Sequence, residues 1–138
     1  MMKRYSFFIA VVSTLYILIL YSGCQSSSSR YADGEKLYTI HCANCHMDDG
    51  SGLAALYPPL YQSDYLQPLG ASLACIIRKG IQEPITVNGV VYEQAMPANA
   101  HLSDVEITNI CNYVLTRWTE QANYVSLEDV KRVLKDCE

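Results

Sequence analysis

Apolar and polar positions divide the chain into a short leader and one small domain. Phe7 to Leu20 is an apolar run interrupted by Ser13 and Thr14, and Met1-Met2-Lys3-Arg4 sets positive charge ahead of it. The run is shorter than the ~20 residues a membrane-spanning helix needs, so it reads as a secretory leader. A polar tether with four consecutive serines, Ser26 to Ser29, follows. From Asp33, a plausible N-cap, the period becomes helical: Leu37, Tyr38, His41, Cys42 and Cys45 share one face. Met47 to Gly52 has loop composition, and Tyr57-Pro58-Pro59-Leu60 is a stiff extended piece. Short helices are predicted from Ser63 and from Ser72, the second closing at Arg78-Lys79-Gly80. Residues 84–95 predict a hairpin, with Ile85-Thr86-Val87 and Val90-Val91-Tyr92 flanking an Asn88-Gly89 turn. Ser103 and Glu106 form a capping box for a helix whose apolar stripe is Ile107, Ile110, Cys111, Val114, Leu115 and Trp118. A last helix starts at Ser126 and carries Leu127, Val130, Val133 and Leu134.

The chemistry concentrates in Cys42-Ala43-Asn44-Cys45-His46. C-x-x-C-H is the spacing at which two thiols attach to one haem and the following His ligates its iron. With 6 Cys and 3 His in 138 residues, composition alone would yield the pattern in roughly half a percent of such chains. A redox dithiol would call for a thioredoxin-like βαβ pattern around the motif, and none is visible. A structural zinc site would call for a second close Cys/His pair, whereas the remaining domain cysteines lie apart at 75, 111 and 137.

Tyr21-Ser22-Gly23-Cys24 ends the leader, and small residues before a Cys resemble the lipobox of bacterial lipoproteins. The departure is Tyr21, where that motif prefers Leu. The resemblance implies a leader over 1–23, lipid on Cys24, a tether over 24–32 and a domain over 33–138. Ordinary secretion and an uncleaved anchor are the plain alternatives, and all three versions export the domain to a compartment where disulfides persist. Which membrane would hold it stays open. From Cys24 onward eight Lys and Arg face fourteen Asp and Glu, a net of −6. That balance argues against nucleic-acid binding and favours a partner with a basic patch.

Gly34 and Tyr38 ahead of C-x-x-C-H, Pro58-Pro59-Leu60, the Ile85–Tyr92 hairpin, Met96-Pro97, and Ser103-Asp104-Val105-Glu106-Ile107 leading to Tyr113 and Trp118 occur in the order seen in class I mono-haem cytochromes c with an extra hairpin. The chain resembles that family over about residues 33–118. The resemblance implies an all-α fold of three to five helices around one covalent haem c, with the hairpin before the distal ligand. In that fold the first and last family helices cross, with Gly34 admitting Tyr113. It places the distal ligand at Met96 and the carbonyl that accepts the His46 ring N–H on Pro58 or Pro59, the Pro-x-Leu pattern favouring Pro58. A thioether is a soft, neutral ligand that raises the potential relative to a second imidazole. His101 is the rival distal residue, and His41 reads as helix surface.

Setting Cys24 aside for lipid and Cys42 and Cys45 for haem leaves Cys75, Cys111 and Cys137, an odd number. Cys111 sits on an apolar stripe, while Cys137 lies past the last helix, where a bridge would pin the tail. The expectation is a Cys75–Cys137 disulfide, with Cys75–Cys111 as the alternative. The expected activity is single-electron transfer between redox protein partners in the periplasm, without catalysis, since two axial protein ligands leave no open iron site. Alternatives are a haem sensor or catalytic haem domain with an open distal site, and an electron-entry subunit of a dehydrogenase or denitrification enzyme.

Overall fold

The computed structural model of the chain describes residues 12–13, 32–120 and 124–137. The expected leader and tether, with Cys24, lie outside the described residues, apart from Val12, Ser13 and Ala32. In chain order the elements are α1 (Ala32–His41), α2 (Ala43–His46), α3 (Leu73–Lys79), β1 (Ile85–Val87), β2 (Val90–Tyr92), α4 (Asp104–Trp118) and α5 (Leu127–Asp136). The fold is mostly helical with one antiparallel hairpin, registered Ile85↔Tyr92, Thr86↔Val91 and Val87↔Val90.

α1 and α4 cross where Gly34 lies on α4. A Cβ at residue 34 would overlap the Asn109 carbonyl oxygen and stand 2.9 Å from Tyr113 Cβ. The absence of a side chain therefore sets the distance between the two helices. One turn along α1, Tyr38 is 1% exposed, its ring 5.4 Å from Tyr113 and 5.0 Å from Trp118. Three large rings in mutual contact bury much of the apolar surface of a small domain, each contributing about 1.5–3 kcal/mol by burial. The stripe read on α4 is the buried face: Ile107, Ile110, Cys111, Val114, Leu115 and Trp118 are all buried.

Both long-helix starts are capped as Ser-x-x-acid. Ser103 Oγ accepts the Glu106 N–H while the Glu106 carboxylate accepts the Ser103 N–H at 2.8 Å. Ser126 and Asp129 repeat the arrangement on α5. Hydrogen bonding to these serines holds both carboxyls below the usual carboxylate range.

Three expectations change. α1 already includes Ala32, so Asp33 lies within its first turn and is not its N-cap. The first helix does not run unbroken through the cysteine motif. It breaks at Cys42, with φ −124° and ψ −38°, and a four-residue helix follows, closing at Met47 with φ +61°. The stretch from Ser63 is a series of turns rather than a helix. Pro68 brings no N–H to a second turn, and the Leu66 N–H goes to Ser63 Oγ at 3.2 Å instead of to a carbonyl.

The tail is held twice. Buried Asn112 on α4 donates to the Val125 carbonyl at 3.0 Å and accepts the Val125 N–H at 2.9 Å. Cys137, at the end of α5, is bonded to Cys75 on α3, with Cα atoms 6.1 Å apart and a sequence separation of 62. Cys111 stays a buried free thiol.

Gly34→Val is expected to destabilise the folded protein by about 1–3 kcal/mol or more through overpacking at the crossing, read as a lower denaturant midpoint. The pair Cys75→Ser with Cys137→Ser is expected to cost about 2–4 kcal/mol by releasing the unfolded chain from a long closed loop, in the same titration and with the native visible spectrum retained.

Candidate functional site

α1 delivers Cys42 at its C-terminal end, and α2 carries Cys45 and His46. Backbone bonds from the Cys45 and His46 N–H groups to the Cys42 carbonyl, 3.1 and 3.0 Å, hold the five residues as one compact turn. The next segment folds back on it. The Gly52 N–H donates to the His46 carbonyl at 3.1 Å, and Leu53 bridges Tyr57. Gly52 has φ +68°, and a Cβ there would overlap the Tyr57 carbonyl oxygen and lie 2.7 Å from the Pro58 carbonyl carbon. Glycine is what allows the proline segment to lie against the loop.

That approach puts the Pro58 carbonyl oxygen 3.0 Å from His46 Nδ1. A carbonyl can only accept, so Nδ1 carries the proton and Nε2 keeps its lone pair. Burial holds the ring's pKa below the ordinary histidine value, and the weaker pull of the Pro58 carbonyl opposes this. The ring is thus neutral at neutral pH, oriented through one nitrogen and available through the other, as a metal ligand requires.

Met96 is seated by a different segment of the chain. Its backbone N–H donates to the Ile81 carbonyl at 2.8 Å and its carbonyl accepts the Ile81 N–H at 3.0 Å. Gly80, with φ +73°, makes room: a Cβ there would overlap the Met96 carbonyl oxygen. In the sequence Gly80 reads only as a helix stop, and nothing local ties it to a residue sixteen positions away.

Cys42, Cys45, His46 and Met96 line one cavity of about 950 Å³, part of it open to solvent. Between them the walls are aliphatic, with Leu66, Leu73, Ile77, Val87, Ile110 and Val114 prominent. Tyr38 also lines it, its hydroxyl donating to the Met47 carbonyl at 2.7 Å, and Tyr57, Tyr65 and Tyr92 contribute ring surface. Trp118 lies outside, stacked over Gly50, where a Cβ would stand 2.6 Å from the indole. His101 is exposed and lies outside the cavity, its ring 5.3 Å from that of His41.

The donor set fits a haem and fits its rivals poorly. Two thiols and an imidazole on one wall, a thioether on another and hydrocarbon between them suit a flat apolar macrocycle with one metal at its centre. Burial, and then the neighbouring Cys45, pushes the Cys42 thiol up to about 12. A working redox dithiol depends on a lowered thiol pKa. Among the described residues no group of three or more His, Cys, Asp or Glu gathers as a bare-cation site.

Residues 29–114 match the family model described as cytochrome c oxidase, cbb3-type, subunit III. The chain is 35% identical over 91 residues to cytochrome c-552 of Thermus thermophilus, covering 63% of this chain and 69% of that one. It is 31% identical over 103 residues to cytochrome c6 of a Synechococcus species, covering 74% and 83%. It is also 33% identical over 103 residues to the cytochrome c subunit of the quinone alcohol dehydrogenase of Gluconobacter oxydans, covering 72% of this chain but only 21% of that subunit.

Exported, matured protein is expected to show a denatured mass one haem above the polypeptide. The double variant Cys42→Ser with Cys45→Ser is expected to lose that added mass and the red colour together.

Proposed function

The chain belongs to the cytochrome c family as a mono-haem electron-transfer protein, and on that premise we propose that it shuttles single electrons between respiratory redox proteins in the periplasm. In this reading Cys42 and Cys45 would hold haem c covalently, and His46 and Met96 would ligate its iron. Pro58 orients His46. Lipid on Cys24 tethers the domain to the outer side of a membrane through the serine-rich segment. Among the described residues no helix is long and apolar enough to cross a membrane.

The observation that carries the reading is the meeting, in one apolar cavity, of a neutral imidazole oriented through Nδ1 and a methionine pinned by its own backbone. Bound haem supplies the iron that alternates between ferrous and ferric states. The chain's share is to hold both ligands through each change of charge. Backbone anchors at Pro58 and Ile81 hold the His46 ring and the Met96 main chain in place. The aliphatic walls exclude water and favour the less charged, ferrous state. With His46 and Met96 both bound, the iron would offer no site to a substrate, so the domain is proposed to carry electrons rather than catalyse.

A second reading is an electron-entry domain for a dehydrogenase, favoured by the likeness to the alcohol dehydrogenase subunit. The chain spans about a fifth of that subunit's length. Co-purification of a dehydrogenase with the full chain is the outcome that selects it.

Met96→His is expected to lower the midpoint potential by on the order of 0.1–0.3 V, part of the ~0.8 V range that axial ligands span, while leaving the spectrum low-spin. Met96→Ala is expected to turn the ferric spectrum high-spin and let the ferrous protein bind carbon monoxide. Ready carbon monoxide binding by the unaltered protein would sink the carrier reading in favour of an open distal site.

A further inference from the structure

We propose that Arg78 is a positioning residue for the distal ligand, its guanidinium holding the chain after Met96 against the end of α3 so that the thioether stays at the iron. The inference rests on the reading of Met96 as a ligand given above and says what keeps that ligand in place.

Residues 97–103 join Met96 to α4 and belong to no helix or strand. Pro97 has no N–H with which to anchor them. The Asn99 N–H donates to the Ile77 carbonyl at 3.0 Å, and the Leu102 N–H turns back to the Asn99 carbonyl at 3.2 Å. An irregular segment outside the helix and strand ladders belongs to the part of a fold that opens most readily. An opening there would loosen Met96 on its C-terminal side and leave the bridge to Ile81 to hold it.

Arg78, in the last turn of α3, stands against that opening. Its Nη1 donates to the Ala100 carbonyl at 3.1 Å and to the Leu102 carbonyl at 2.7 Å, and its Nη2 to Asp104 Oδ1 at 2.7 Å. Basic side chains at a helix end commonly serve that helix's own carbonyls. Here the donors go to another segment. One planar fork thus fixes two main-chain carbonyls and the first residue of α4, whose start is itself held by the Ser103–Glu106 box. A lysine ammonium is a point charge on a flexible stem and does not reproduce the fork. Two of the three acceptors are uncharged carbonyls, so the clamp does not depend on the partly exposed ion pair alone.

The end of α3 is one frame for the whole Met96 segment. Ile77 offers its carbonyl to Asn99, Arg78 spans 100–104, and Ile81, just past the helix, pairs with Met96. Ile77 is buried and lines the cavity, whereas Arg78 does not line it and acts on Met96 through the chain. The frame is fastened in turn, since Cys75 on α3 is bonded to Cys137.

The test uses the full haem-loaded chain. Three readouts are taken: the rate at which added imidazole displaces the thioether from the ferric protein, hydrogen exchange at single backbone N–H groups, and the denaturant midpoint. Arg78→Met keeps an apolar stem and removes the fork. It is expected to speed displacement about tenfold or more, as the loss of even one hydrogen bond from a charged donor would. Exchange should quicken at the Asn99 and Leu102 N–H groups more than within α1 and α4. Arg78→Lys is expected to recover only part of the slow displacement, and it carries the test should Arg78→Met fail to accumulate. Lys79→Met, which removes the exposed neighbouring cation, is expected to change none of the three. The proposal is overturned if displacement from the Arg78 variants is as slow as from the unaltered protein. It is equally overturned if Lys79→Met speeds displacement as much, or if exchange quickens uniformly across the fold in step with the denaturant midpoint. Imidazole binding by the unaltered protein as fast as by Met96→Ala would overturn the ligand reading, and this inference with it; slow binding by the unaltered protein keeps that reading standing whichever way the Arg78 result falls.

Discussion

The crossing of α1 over α4 at Gly34 is the contact on which the site's geometry depends. Cys42 is the residue after α1, so the position of α1 along α4 is the position of the cysteine motif. The Asn109 carbonyl and Tyr113 Cβ leave no space for even one methyl at the crossing. Tyr38 then locks the register, with two aromatic neighbours on α4 and its hydroxyl on the Met47 carbonyl just beyond His46. The same residue lines the cavity. Core packing and site placement are one set of contacts here, as suits a chain with little core to spare.

The two ligand candidates are held by parallel means on different segments of the chain. His46 is steered by a carbonyl that reaches it because Gly52 admits the proline segment, and Met96 is steered by backbone bonds to Ile81 that Gly80 makes possible. Both glycines occupy the left-handed region, where a side chain would be strained even if it fitted. Main-chain anchors are less mobile than side-chain ones, and a site whose charge changes by one electron gains from ligands that stay in place.

α5 carries three cations beside its acidic residues and is fastened by Asn112 and the Cys75–Cys137 bond. The hairpin packs Val87 and Tyr92 inward, and its tip is clamped to the segment after Leu60 by Asp64 and Asn88.

The amino-acid order by itself determined what depends on near neighbours. The C-x-x-C-H spacing, the Asn88-Gly89 turn and the Ser103–Glu106 box are each complete within a few residues, and hairpin and helix start lie where those signals put them. Tertiary structure decided what depends on contacts between distant segments. The break at Cys42 is invisible in a helical period that continues through it. The turns after Ser63 follow from Pro68 and a serine hydroxyl prevailing over a weak helical pattern. The Pro-x-Leu pattern only favours Pro58 over its neighbour, and it is the folded loop that brings the Pro58 carbonyl to His46. His101 and Met96 are five residues apart and equally able to bind iron, yet the bridge to Ile81 seats Met96 at the cavity while His101 lies against His41 on the surface. Local signals specify dihedral angles, whereas the choice between like residues is made by packing and by which backbone groups find partners across the fold.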